Sequence, residues 1–153
     1  PWPLERMSVY LNLDMIGHPW TPAELRTLVA ETGLERADEF LSKVKAPDFV
    51  ELGVAEWAPD LDAALFRAAR ASGLSLHLDR TDGRSGGSDY REFARRGLPF
   101  IRFFGNFFDA YHEPGDTADR LDAGQVLKMA RLAFASAWLL SERPAPGAPE
   151  GRR

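Results

Sequence analysis

The chain reads as an α/β protein, a mixed, mainly parallel sheet flanked by helices. Three observations predict this. Short β-rich apolar runs recur near residues 8–14, 49–54, 74–79 and 98–104. Between them lie segments whose apolar residues fall at helical spacing, and strands alternating with helices are the pattern of layered α/β folds. The composition is that of a globular domain: 44% hydrophobic and 27% charged over 153 residues, enough for one domain with one core.

The elements follow in order. Ser8 to Asp14 is apolar almost throughout, so a central strand is expected, ended by Gly17 and Pro19. Thr21-Pro22-Ala23-Glu24 supplies an N-cap, a first-turn proline and a capping-box acid. Leu25, Leu28 and Val29 then form a helical stripe that Gly33 closes, and 35–44 reads as a second, shorter helix. After a short strand at 49–54, Asp60 is the expected cap of a helix with Leu61, Ala64, Leu65 and Ala68 on its inner face, stopped by Gly73. Leu74, Leu76 and Leu78 alternate with Ser75, His77 and Asp79, which puts His77 on the wetter side of a half-buried strand. A glycine-containing loop at 81–87 precedes a short helix capped by Ser88 and carrying Tyr90 and Phe93. A strand at 98–104 and an irregular loop at 106–121 lead to the longest helix, 122–143, with Val126, Leu127, Ala130, Ala133, Phe134, Ala137 and Trp138 at helical spacing. Residues 144–153, rich in Pro, Gly and charge, read as a disordered tail after a domain spanning 1–143.

Composition also excludes functions. A net charge of −4 leaves no basic surplus for phosphates, so nucleic acid is not an expected partner. No apolar run has the length of a membrane span. The absence of cysteine removes disulfides and thiolate metal sites and leaves the compartment open. Residues 1–6 carry no signal-peptide pattern, and the lack of Met at position 1 suggests a piece of a longer protein.

In α/β folds ligands sit beyond the carboxyl ends of strands, which singles out two places. Asp14 ends the first strand, where a carboxylate needs a cap, an arginine or a metal to offset its desolvation. The loop after the last strand holds Tyr111-His112-Glu113-Pro114-Gly115-Asp116-Thr117. There His112 is either a loop histidine in solvent or a metal ligand oriented by a carboxylate such as Asp116. His18 and His77 lack such surroundings and are read as structural or surface residues.

Three landmarks then match in order. Asn12-Leu13-Asp14-Met15-Ile16-Gly17 resembles the strand-end motif of the di-zinc exopeptidases of peptidase family M28, which includes bacterial leucyl aminopeptidases, glutamate carboxypeptidases and glutaminyl cyclases. Ser88-Asp89-Tyr90 with Phe93 and Gly97-Leu98-Pro99 is similar to its second landmark, with Tyr90 where His is commoner. Tyr111-His112, Asp116-Thr117 and Leu121-Asp122 are similar to its third. The resemblance spans roughly residues 8–140. It implies that Asp14 is the carboxylate ligand of one zinc, His112 the imidazole ligand of the other, and Tyr111 a phenol that donates to the oxyanion of a tetrahedral intermediate. Asp89 and Asp116 fall on motif acids that would support the loops. The substrate would be a peptide losing its terminal residue.

The resemblance also implies ligands that this chain lacks. The family places a histidine, a bridging aspartate and a Glu-Glu pair, one glutamate being the general base, ahead of the first landmark; no histidine precedes Asp14 here. The chain is therefore expected to be the C-terminal half of a catalytic domain, to hold its two zincs weakly or not at all by itself, and to be inactive alone. Asp14 and His112 should converge within about 10 Å, the span of a two-metal centre and its ligands. The first strand should present a bare edge or apolar surface, through which the chain would associate with itself or with the other half. Two alternatives stand beside this: a non-catalytic interaction domain of the same fold, and a lone α/β module binding a small molecule or partner. Family habit suggests secretion or the periplasm, and no residue here shows it.

Overall fold

The computed structural model describes residues 3–85, 87–141 and 143. The expected tail at 144–153 lies outside them. Four strands form one sheet: β1 (Tyr10–Asp14), β2 (Phe49–Ala55), β3 (Ser75–Thr81) and β4 (Phe100–Phe104), in the order β1-β4-β2-β3. β1 runs parallel to β4 and β3 parallel to β2, while β2 and β4 are antiparallel. This is the mixed, mainly parallel α/β sheet expected. Five helices surround it: α1 (Pro22–Thr32), α2 (Ala37–Lys43), α3 (Asp62–Ala71), α4 (Tyr90–Ala94) and α5 (Ala123–Leu140).

Local chemistry accounts for most element ends. Thr21 and Glu24 make the reciprocal capping box of α1, and Gly33, with φ of 63°, ends it in the left-handed conformation. The Asp122 carboxylate accepts from Gln125 N–H at 2.7 Å and starts α5. Two expected caps are different. A 3₁₀ turn at Pro59–Leu61 intervenes before α3, so Asp60 sits outside the helix start and accepts from Arg143 Nε at 2.8 Å instead. Ser88 does not cap α4; its hydroxyl accepts from the Asn12 amide at 3.0 Å.

β1 is an edge strand, not a central one. Its apolar run hides an alternation. In the register Tyr10↔Phe100, Asn12↔Arg102 and Asp14↔Phe104 share one face of the sheet, and Leu11↔Ile101 and Leu13↔Phe103 the other. The Leu11 face continues through Val50, Leu52 and Val54 and is covered by α3 and α5, whose Leu65, Ala68, Met129 and Leu132 are fully buried, as is Leu61 in the turn before α3. A second cluster joins α1 and α2 to the start of β2 through Trp20, Leu25, Val29, Ala46 and Phe49.

α5 corrects one expectation. Val126, Leu127, Ala130, Ala133, Phe134, Ala137 and Trp138 were the stripe its spacing offered, but the core takes Gln125, Met129, Leu132, Ala133, Ser136 and Leu140. Leu127, Phe134 and Trp138 face outward, the last two 71% and 72% exposed. The helix is apolar on both sides, so periodicity alone could not say which side the sheet would cover.

Candidate active site

The site is built from two segments that leave parallel neighbours at the same end. Asp14 is the last residue of β1 and pairs with Phe104, the last residue of β4. Beyond Asp14 the chain turns through Met15, which takes the left-handed φ of 53°. Gly105, the first residue past β4, lies against this turn. A side chain there would overlap the Met15 carbonyl oxygen, so only glycine allows the approach. The far end of the same loop returns to the same place, where Asp122 N–H donates to Gly17 O at 3.0 Å and Leu121 packs over Gly17. The segment bearing Tyr111 and His112 thus begins and ends on residues 15–18, directly beyond Asp14.

Aromatic rings fill the span between these anchors. Phe104 meets Phe107 edge-on, Phe107 meets Tyr111, and Tyr111 stacks on His112 at 3.9 Å between centroids. His18 stacks on Phe108 at 3.8 Å, so this histidine helps hold the loop. Arg120 closes the loop by donating to Asp109 at 2.7 Å, and that guanidinium holds the Asp109 carboxyl below its usual range. His112 itself adopts a left-handed φ of 59°, and both it and Tyr111 are exposed. No hydrogen bond joins His112 to Asp116 among the described residues. Asn12, two residues before Asp14 on the same face, is buried and ties β1 to Ser88 in the second landmark.

The face of the sheet that carries Asp14 is mixed, with the buried rings of Phe49, Phe100 and Phe104 beside polar residues. Glu51, His77, Asp79 and Arg102 lie on it, brought together by the pairs Glu51↔His77, Gly53↔Asp79 and Gly53↔Arg102. His77 shares this face with Glu51 and Asp79, but it and its neighbours Leu76 and Leu78 are alike half-buried, so the expected wetter side does not stand out. Arg102 lies over the rings of Tyr90 and Phe104 and reaches across Gly53 to within 3.9 Å of Asp79. Burial, with the Asp79 charge second, pushes the Glu51 carboxyl above its usual range.

A metal centre needs about three protein ligands and an open position. Among the described residues, no three of His, Asp and Glu are grouped to hold an ion.

The fold defines the class first: an α/β protein with its candidate site in the loops that follow a parallel strand pair. The family model for Peptidase family M28 matches residues 1–137, and the chain belongs to that family of zinc-dependent peptidases. No curated protein and no solved structure matches it. No helix among the described residues is long and apolar enough to cross a membrane.

Proposed function

We propose that the chain is the part of an aminopeptidase-like zinc exopeptidase that supplies Asp14 and His112, one to each ion of a two-zinc centre, together with Tyr111. The peptide substrate would lose its terminal residue, and the Tyr111 phenol would donate to the oxyanion formed at the scissile carbonyl. The remaining ligands and the general base would come from outside this sequence, so the chain alone would be inactive. The observation that supports this is the double anchoring of the Tyr111–His112 loop on the turn after Asp14. The bare edge of β1 and the outer stripe of α5 would then be covered by the half of the domain that carries the missing ligands.

The test is hydrolysis of aminoacyl-p-nitroanilides with titrated zinc. No turnover is expected from this chain alone, and zinc-dependent turnover from the full-length product of its gene, abolished there by Asp14→Ala or His112→Ala. Full-length activity indifferent to both substitutions would refute the ligand roles. A second reading, a non-catalytic interaction domain of the same fold, draws on the exposed Leu127, Phe134 and Trp138. It predicts an inactive full-length protein whose association, measured by sedimentation, is lost on Trp138→Ser.

A further inference from the structure

β3 is the outermost strand of the sheet among the described residues, at the end opposite β1. Its pairing with β2 uses only half of its backbone groups. Thr81 O accepts from Glu56 N–H on the β2 side at 3.1 Å. Backbone groups alternate in direction along a strand, so in the parallel register those of Ser75, His77 and Asp79 point the same way as Thr81. The N–H and C=O groups of Leu76, Leu78 and Arg80 therefore point outward, and no backbone bond from beyond the sheet reaches them among the described residues.

The side chains along this edge are also incompletely covered. Leu76 and Leu78 are half-buried against the core, and the Asp79 side chain is 47% exposed. Phe66 of α3 is 42% exposed and lies one turn from Asp62, whose carboxylate pairs with Arg80. α3 connects the parallel strands β2 and β3, so it runs against them. One helical turn of about 5.4 Å matches roughly two strand residues, which brings Phe66 level with Leu78.

A free strand edge is a template for another strand, and the sequence of β3 complements itself in the antiparallel sense. About a two-fold axis at Leu78, Leu78 meets Leu78, His77 meets Asp79, Leu76 meets Arg80 and Ser75 meets Thr81. The outward-pointing residues Leu76, Leu78 and Arg80 then fall on the hydrogen-bonded pairs of the ladder. His77 and Asp79 fall on a closely spaced pair between those bonds, where an imidazole N–H can donate to the carboxylate. Moving the axis by one residue sets Asp79 against Asp79 or His77 against His77, so side-chain complementarity fixes the register.

We propose that two copies of this chain join edge to edge through antiparallel β3 strands, with the axis at Leu78, into one continuous sheet. This edge is separate from β1 and from the outer side of α5, so the dimer does not depend on the peptidase reading.

Sedimentation equilibrium of the chain tests it. A concentration-dependent dimer is expected, and a species that stays monomeric up to about 1 mM would overturn the proposal. Each dimer holds the His77–Asp79 pair twice, so His77→Asp or Asp79→His should weaken dimerisation roughly threefold to thirtyfold. Exchanging both residues in one chain should restore it, with circular dichroism checking that every variant keeps its fold. A dimer indifferent to the single changes, or not restored by the exchange, would overturn the register. The chain has no cysteine, so introduced ones report directly on contact. Ser75→Cys and Thr81→Cys chains should oxidise to a cross-linked dimer when mixed, since facing residues lie about 4.5–5.5 Å apart, within disulfide reach. Equally fast cross-linking by either variant alone would contradict the pairing. Binding of an unrelated extended peptide at this edge by a chain that stays monomeric would overturn the second copy as its occupant.

Discussion

The two faces of the sheet divide the molecule's work. One face presents Leu11, Val50, Leu52, Val54, Ile101 and Phe103 to α3 and α5 and is covered by them except at the end of β1, where Leu13 stays half exposed. The other presents Asn12, Asp14, Glu51, His77, Asp79 and Arg102, only partly roofed by α4, whose Tyr90 and Phe93 stack on Phe100 and Tyr10. Both come from the same four strands, since successive residues point to opposite sides. Stability is concentrated on the first face, and the groups able to bind or react lie on the second or in the loops at its edge.

Substitutions on each side measure this contrast. The largest effect is expected from Phe103→Ala. Phe103 is fully buried, so truncation should cost about 3–5 kcal/mol by denaturant unfolding. A loss under 1 kcal/mol would mean the sealed face is not the core. Gly105→Ala should cost about 1–3 kcal/mol, because the new methyl meets backbone that cannot swing away. It should also displace the Tyr111–His112 loop, visible as altered aromatic shifts of His18 and Phe108; unchanged shifts would disprove the anchor.

On the open face, Glu51→Gln should act through pH. The folded-state pKa of Glu51 lies above its unfolded value, so its contribution is fully present below about pH 4.3 and is lost as pH rises through the folded value. The variant should therefore gain stability relative to the parent at pH 7, by about 1 kcal/mol or less, and gain none at pH 4. An equal change at both pH values would assign the effect to packing. The smallest effect is expected from Trp138→Ser, within about 0.5 kcal/mol for the monomer, because the ring is 72% exposed. It lies on the same helix as fully buried Met129, so a loss well above that would mean that the outer side of α5 is packed as well.

Much of this was legible in the residues. All four strands, the Thr21–Glu24 capping box and the three closing glycines Gly33, Gly73 and Gly97 announce themselves through local chemistry. The sheet order does not, because the alternation of elements says nothing about which strands become neighbours. Asp60 and Ser88 were misread for a related reason: each is bound by a residue far along the chain, Arg143 and Asn12, and no local pattern encodes such a partner. In the site, motif resemblance marks Asp14, Tyr111 and His112, whereas the role of Gly105 shows only once the turn after β1 is seen against it.

The pairing of β1 with β4 has a consequence for the order of events during synthesis. Tyr10 pairs with Phe100, about ninety residues later, and β4 is the strand beside β1 among the described residues. At a ribosome's pace of roughly 5–20 residues per second, the first strand emerges several seconds before the strand that completes it. During that interval β2 and β3 can already pair, because both lie between them in the chain. The Asn12–Asp14 corner of the site is therefore among the last parts of the molecule to be placed, and a pause in translation between β3 and β4 would lengthen its exposure to chaperones and proteases.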